Sequence, residues 1–232
     1  MRIHYLQHVE YEPVAAIGEW AAERGHSVSG THLYREQLTQ PDDFDMLVIM
    51  GGPMNIYDEA DHPWLADEKR FVAQVVAEGK LVLGVCLGAQ LLADVLGGPV
   101  TRGREPEIGW YPIELTPEAR AVPAFAALPE RFTPLHWHGD TFAVPPEAVR
   151  LARSETCENQ AFAVDGGRVL GLQFHLEATR ESWAALTEAC ADELKQPGES
   201  VSSAGMMLAH PFGEIRELLF AMLDAWVGAG KE

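Results

Sequence analysis

Lys80–Leu92, KLVLGVCLGAQLL, constrains this chain more than any other stretch. Leu81, Val82, Leu83 and Val85 make an apolar run of the kind that forms a strand buried on both faces. Ala89, Gln90, Leu91, Leu92 and Ala93 favour helix. Between the two stand Gly84, Cys86 and Gly88. The pattern predicts a strand, a turn too tight for ordinary side chains, and a helix, with one nucleophile at the apex. Glycine at 84 and 88 removes Cβ atoms that would collide where strand and helix fold back on each other. Cys86 then stands at a helix N-terminus, where the dipole and the free N–H groups favour the thiolate. A cysteine met in isolation reads as a buried structural residue. The flanking glycines and the switch from strand to helix argue for a reactive one.

The rest of the chain alternates in the same way. Ile3–Gln7 reads as a first strand and Val14–Arg24 as a helix closed by Gly25. Ser27–Leu33 reads as a second strand, and Gln40–Asp43 as a polar turn. Met46–Met50, MLVIM, is a further buried strand ending in Gly51-Gly52-Pro53. Asp61–Glu78 fits a helix with Asp61 as cap and Pro63 in its first turn. This order predicts an α/β architecture: an open, mostly parallel sheet with helices on both faces. After Gly97-Gly98-Pro99 the character changes. Glu107–Leu115, Phe132–Trp137, Val149–Ala152 and Gln160–Val164 are short and punctuated by Pro and Gly, which predicts an antiparallel β extension of the sheet. Val169–His175 returns to a buried strand. Thr179–Leu194 reads as a helix, Lys195–Ala204 as a mobile loop and Phe212–Val227 as an amphipathic closing helix. We expect one domain over residues 1–232, with a C-terminal helical appendage from about 195 to 232.

In open sheets of this kind ligands bind beyond the carboxyl ends of the strands. Three features fall there: Gly51-Gly52-Pro53, Cys86, and His175 with Glu177. Residues i and i+2 of an extended chain share a face. Glu177 can therefore hold one imidazole nitrogen of His175 and leave the other for Cys86, a nucleophile, base and orienter in thiol form. Gly52 permits close backbone approach to a developing oxyanion, and the N–H of Leu87 follows the nucleophile, as in the strand-to-helix elbow of G-x-S-x-G hydrolases. His136-Trp137-His138-Gly139-Asp140 is the other dense polar cluster. Its two histidines alternate onto one face, but a substrate-lining loop fits better than a metal pair, and no metal is expected. Cys157 and Cys190 read as structural. His4 and His8 stand near the first strand end with nothing to select them, and Glu105 and Glu107 read as solvated charges.

Bulk properties remove several classes. With 17 Lys and Arg against 35 Asp and Glu, the formal net charge is −18, which repels phosphate backbones and anionic membranes. Neither nucleic acid nor a membrane is an expected partner. No apolar run approaches the ~18 residues of a membrane span. The N-terminus lacks the apolar core of a signal peptide, and three cysteines are too few for a disulfide framework. Both point to a cytoplasmic protein with reduced thiols.

Taken together, Gly84–Gln90 (GVCLGAQ), Gly51-Gly52-Pro53 and Gln173–Glu177 (QFHLE) resemble class I, triad-type glutamine amidotransferase domains. The resemblance runs from the first strand to about Glu177. His136–Asp140 followed by Thr141-Phe142 resembles the GMP-synthase-like branch. The resemblance implies a flavodoxin-like fold and a Cys86 thioester with the glutamine side chain. It also implies an oxyanion held by the Gly52 and Leu87 N–H groups, with His175 as base and Glu177 as orienter. Gly51, Gln90, His138 and Gly139 become substrate contacts, and no cofactor is required. Two positions depart from the family pattern: Leu176 stands where Pro is usual, and Met54-Asn55 where Ser is more common. No synthase motif is fused, so the resemblance implies either a stand-alone hydrolytic unit or one subunit of a complex with an ammonia-accepting synthase.

Three other functions share this architecture. The same thioester chemistry serves a γ-glutamyl peptidase, differing only in the leaving amine. A catalytically silent regulatory subunit would not need Cys86, His175 and Glu177 together. The related thiol-elbow proteases and chaperones place His directly after the elbow cysteine, where this chain has Leu87.

Overall fold

Eleven strands and seven α-helices follow one another over residues 1–38, 43–195 and 200–229, the residues described by the computed structural model. In chain order they begin β1 (Arg2–Gln7), α1 (Ala15–Glu23), β2 (Ser27–His32), β3 (Met46–Ile49), α2 (Trp64–Ala77), β4 (Leu81–Val85) and α3 (Leu87–Val95). Then come β5 (Val100–Trp110), β6 (Ile113–Leu115), α4 (Pro123–Ala126), β7 (Arg131–Phe132), β8 (Leu135–Phe142), β9 (Val149–Arg153), β10 (Ala161–Val164) and β11 (Val169–Leu172). The chain closes with α5 (Arg180–Ala189), α6 (Ala204–Ala209) and α7 (Gly213–Ala229).

One nine-stranded sheet runs in the order β2-β1-β3-β4-β11-β10-β9-β6-β7. Its first five strands are parallel. From β10 onward every pairing is antiparallel. This is the flavodoxin-like α/β arrangement with an antiparallel extension. The expected single strand Glu107–Leu115 is divided. Its first part ends β5, Pro112 interrupts the ladder, and Ile113–Leu115 joins the main sheet. β5 pairs instead with β8 in a separate two-stranded ribbon, where Glu107 faces His138 and Gly109 faces His136. The ribbon is tied to the sheet where Leu135 and His175 exchange backbone hydrogen bonds of 3.4 and 2.8 Å.

Apolar side chains alternate through the sheet into two cores. Met46, Val48, Leu83 and Val85 face α1, α5 and α7, packing with Ile17, Trp20, Trp183 and Leu219. Leu47, Ile49 and Val82 face α2 and α3, packing with Leu65, Val72, Leu91 and Leu92. Several helix ends differ from expectation. α2 begins at Trp64 with Pro63 as its N-cap, so Asp61 is not the cap. α5 starts behind a reciprocal Thr179–Ser182 cap and ends at Ala189, with a short 3-10 turn over Glu193–Lys195. Most of the turn expected at Gln40–Asp43, and 196–199 of the loop expected at Lys195–Ala204, lie outside the described residues. Where the latter is described, Val201 bridges to Ile108 and α6 begins at Ala204. No helix among the described residues is long and apolar enough to cross a membrane.

Candidate active site

The elbow forms as the glycines require. Val85 ends β4, Cys86 adopts φ 51° and ψ −108°, and Leu87 begins α3. Positive φ is costly for a residue with a Cβ and persists only where the surroundings hold it. The Cys86 N–H donates to the Leu172 carbonyl of β11 at 2.7 Å, and its own carbonyl accepts the first helical bonds from Ala89 and Gln90. A Cβ on Gly84 would lie 2.4 Å from the Gly88 carbonyl oxygen, and one on Gly88 would lie 2.1 Å from that of Ile49. Three backbones meet where only glycine fits.

The Cys86 sulfur is buried, 3.5 Å from the Trp137 carbonyl and 3.7 Å from the Gln173 amide nitrogen. Burial pushes its thiol up, against the pull of the His175 imidazole beside it. His175 follows β11. Its Nδ1 donates to Glu177 Oε1 at 2.7 Å, and its buried Nε2 has no hydrogen-bond partner. Burial lowers the basicity of this imidazole, but Glu177 and Cys86 outweigh it and hold His175 well above the ordinary histidine range. The indole of Trp183 packs edge-on against the ring at 5.5 Å.

Behind the glycine pair lies His8, for which the sequence held no clear signal. Its Nδ1 meets the Gly51 carbonyl at 3.0 Å and its Nε2 meets Glu68 Oε1 at 2.9 Å, both side chains fully buried. Two acceptors call for two N–H donors, so this is an imidazolium. Burial opposes its charge, and Glu68 more than compensates. Carbonyl and N–H of a trans peptide point in opposite directions. Holding the Gly51 carbonyl thus turns the Gly52 N–H away from His8. A Cβ on Gly52 would lie 2.9 Å from the Leu87 side chain, so the two segments expected to supply the oxyanion donors pack against each other. His4 turns away, toward Ser29 and Thr31 of β2.

The segment 136–140 is strand β8, not a loop. His138 Nδ1 donates to the Asp140 carbonyl at 3.0 Å and Nε2 to Glu107 Oε2 at 3.0 Å, so both ring nitrogens are engaged within the protein. Glu107 is not a solvated charge. It is 2% exposed and also accepts from Ser154 at 2.7 Å and Gln160 at 2.6 Å. Burial works against its charge, yet the His138 hydrogen bond, with His136 and Thr156 beside it, holds it well below the usual carboxylate range. Glu107, His136 and His138 offer ligand atoms within 4.8 Å of one another, the one grouping among the described residues with a metal-like geometry. The carboxylate already takes three donors, while the buried His136 Nδ1, 4.0 Å from Glu107 Oε2, has no hydrogen-bond partner. The cluster pins β5 to β8. Gln90 reaches from α3 to the Asp140 carbonyl at 3.3 Å and to Gln173 at 3.2 Å, and Asn55 holds Asp140 at 2.7 Å.

A cavity of about 130 Å³ opens on Cys86. Gly52, Gln90, His138 and Gly139 line it, as the sequence suggested. So do Glu12, Cys190 and Glu193, which it did not suggest. Cys190, expected to be structural, stands in the cavity wall, whereas Cys157 lies buried beside Thr141. Gly51, Leu87, His175 and Glu177 stand behind the lining. The β1–α1 loop carrying Glu12 lies at a strand end, where ligand crevices form. Its carboxylate is one of 35 acidic groups, so residue type alone could not single it out.

Residues 15–190 match the family described as glutamine amidotransferase class-I. A glutamine amidotransferase-like protein of Salmonella typhimurium, YfeJ, is 34% identical over 231 residues, covering 97% of this chain and 96% of its own. The GMP synthase (glutamine-hydrolyzing) of Thermomicrobium roseum is 36% identical over 159 residues, 65% of this chain and 28% of that one. The crystal structure of a glutamine amidotransferase from Thermotoga maritima superposes with a TM-score of 0.87 at 32% identity, covering 98% of each chain.

Proposed function

Since the chain belongs to the class I glutamine amidotransferase family, a cysteine-based glutaminase chemistry follows, and we propose that Cys86, His175 and Glu177 carry it out. With its proton held on His175 Nε2, the Cys86 sulfur attacks the side-chain amide carbon of a γ-glutamyl substrate, glutamine being the simplest. The backbone N–H groups of Gly52 and Leu87 receive the oxyanion. His175 returns the proton to the departing nitrogen, so ammonia or an amine leaves and a γ-glutamyl thioester remains. Water, deprotonated by the same Nε2, then releases glutamate and the thiol. Glu177 keeps the imidazole in one tautomer and steadies its positive form.

The observation that carries this reading is the His175 ring. One nitrogen is committed to Glu177, while the other is buried, without a partner, beside a cysteine held at positive φ. A buried nitrogen left unsatisfied costs stability, and such exceptions concentrate where a substrate completes the bond. On the acyl side, Gln90 and the β8 backbone at His138 and Gly139 receive the amino-acid end of the substrate. Ring contacts from His138 are not needed, since its two nitrogens serve to position the strand. An ammonia-accepting synthase, of the kind the GMP synthase relatives suggest, is a proposed destination for the product.

The test is release of ammonia from glutamine, set beside release of amine from γ-glutamyl amides. Cys86→Ala abolishes both while the circular dichroism spectrum stays that of the parent. Glu177→Ala retains about 10–100-fold more kcat than Cys86→Ala, because it orients a proton carrier rather than forming the bond. Full turnover by Cys86→Ala would remove Cys86 as nucleophile.

A further inference from the structure

Glutamine hydrolysis leaves one wall of the cavity without a task. Gly52, Gln90, His138 and Gly139 serve the acyl half. The rest of the lining includes Glu12, from the loop between β1 and α1, and Leu186, Cys190 and Glu193, from α5, its C-terminal end and the turn after it. The position of Glu12 is set by Gly51. A Cβ there would lie 2.0 Å from Glu12 Oε2 and 3.5 Å from His175 Cε1, so carboxylate and imidazole edge share the space beside that glycine.

His175 Nε2 hands its proton to the departing nitrogen, so the amine half of the substrate lies on the His175 side of the sulfur. Glu12 flanks His175 and therefore faces the amine half. Among the described residues no hydrogen-bond donor, Lys or Arg pairs with its carboxylate. The groups around it are His175 and Glu177 from the segment after β11, His8 from the end of β1, and Glu193 from the turn after α5. Burial pushes Glu12 up to about 7, with Glu177 and Glu193 adding to it and the two histidines opposing. Glu193, an exposed residue of the lining, receives the Trp137 indole N–H on Oε2 at 3.1 Å. The lining's one Lys or Arg, Arg102, sits 3.6 Å from Asp140 on the acyl side.

We propose that the site takes γ-glutamyl amides whose amine portion carries a positive charge, with Glu12 as its counter-ion and Glu193 as a second acceptor. The proposal rests on the thioester reading above and names the substrate class for it. Ammonia leaves this wall untouched and the carboxylate without a partner, which is costly in a confined site. A second ammonium group carried on the leaving amine meets both carboxylates. The bonds made and broken are those of the thioester route: C–N breaks, S–C forms, and the amine departs with the proton from His175.

The experiment compares two isosteric amides, mono-γ-glutamyl-1,3-diaminopropane with its terminal ammonium and γ-glutamyl-butylamide with a methyl in that place. Glutamine and γ-glutamylglycine serve as small and anionic references. At pH 8 we expect kcat/KM for the diamine conjugate to exceed that for the butylamide by about tenfold or more. Glu12→Gln should bring the ratio close to one, acting on KM for the cation. A ratio near one in the parent protein overturns the proposal. So does an equal loss on every substrate in Glu12→Gln, which would put Glu12 on the acyl half. Binding to Cys86→Ala, measured by calorimetry, separates this from the premise. A tenfold preference for the diamine conjugate without turnover in the parent rejects the thioester route and keeps the cation site. No preference in binding and none in turnover rejects the site.

Discussion

Glu12 and His8 both hold a proton more tightly in the folded chain than an unfolded chain would, for opposite reasons. Burial makes the carboxylate of Glu12 costly and pushes it up to about 7. For His8, burial works against the charge and the adjoining Glu68 restores it, so its pKa rises. A group whose folded pKa is raised contributes stability at low pH and loses it as the pH climbs through the folded value. For Glu12 that window runs from its ordinary carboxylate value to about 7. For His8 it begins near the ordinary histidine value and extends upward. These two groups should thus withdraw stability between about pH 5 and 8. Glu12→Gln removes the first part of that loss. Its melting temperature at pH 8 should exceed the parent's by a few degrees, about 1 kcal/mol after discounting for partial solvent exposure. A thermal melt series from pH 5 to 8 checks this, and an equal slope in both proteins would count against it. A carboxylate that costs stability and faces a cavity fits the usual trade between stability and function.

Among the elements, the passage from β4 to α3 is the least tolerant of change. Its apex residue is strained at φ 51°, and the residues two positions to either side, Gly84 and Gly88, must lack side chains. In Gly88→Ala the new Cβ would meet backbone of β3, which cannot rotate aside as a side chain can. We expect a loss of about 3 kcal/mol, read as a lower urea midpoint, together with lost turnover, since β3 leads into Gly51 and Gly52. Gly228→Ala is the matching control. It lies in α7 with open space around it, so the change should be neutral or slightly stabilising. The β5–β8 ribbon is the second element that matters here. It lies outside the main sheet and is locked by buried Glu107 and the Leu135–His175 bridge, so β8 reaches the sulfur with a fixed register. This is how the Trp137 carbonyl comes to the Cys86 thiol.

At the scale of the whole molecule, the sheet separates two apolar cores, and α7 covers one of them. Ile215, Leu219, Met222 and Trp226 bury against the β1–α1 side, and the Trp226 indole donates to the Gly167 carbonyl at 2.5 Å. The seam between α1 and α7 also carries exposed ion pairs, Arg216 with Glu19 and Glu23, and Arg24 with Asp224. Exposed pairs of this kind contribute about 0–1 kcal/mol, whereas truncating a buried leucine costs about 2–5 kcal/mol. Leu219→Ala should therefore destabilise by several times more than Arg216→Ala in chemical denaturation. No residue of α7 lines the cavity, so KM should stay the same in both. If Arg216→Ala proved the more damaging, the seam would be electrostatic rather than apolar.

Local pattern determined much of this. The buried runs at Met46–Met50 and Leu81–Val85, the glycines around Cys86 and the two-residue step from His175 to Glu177 are short-range features. Strand and elbow follow from backbone geometry alone, whereas β11 ends at Leu172 and His175 meets Glu177 through bends beyond it. Local pattern also identified the amidotransferase resemblance and four of the cavity-lining positions, Gly52, Gln90, His138 and Gly139. The tertiary structure alone decided that 136–140 is a strand, and that Glu107 is buried beneath it. It likewise decided that a charged His8 backs Gly51, and that Glu12 and Cys190 share the cavity with Cys86. Spacing along a chain encodes which residues share a face of one element. It carries no record of which carboxylate, among 35 alike in type, a crossover or a detached ribbon brings beside a distant sulfur. That depends on how the elements pack, and packing is decided by the chain as a whole.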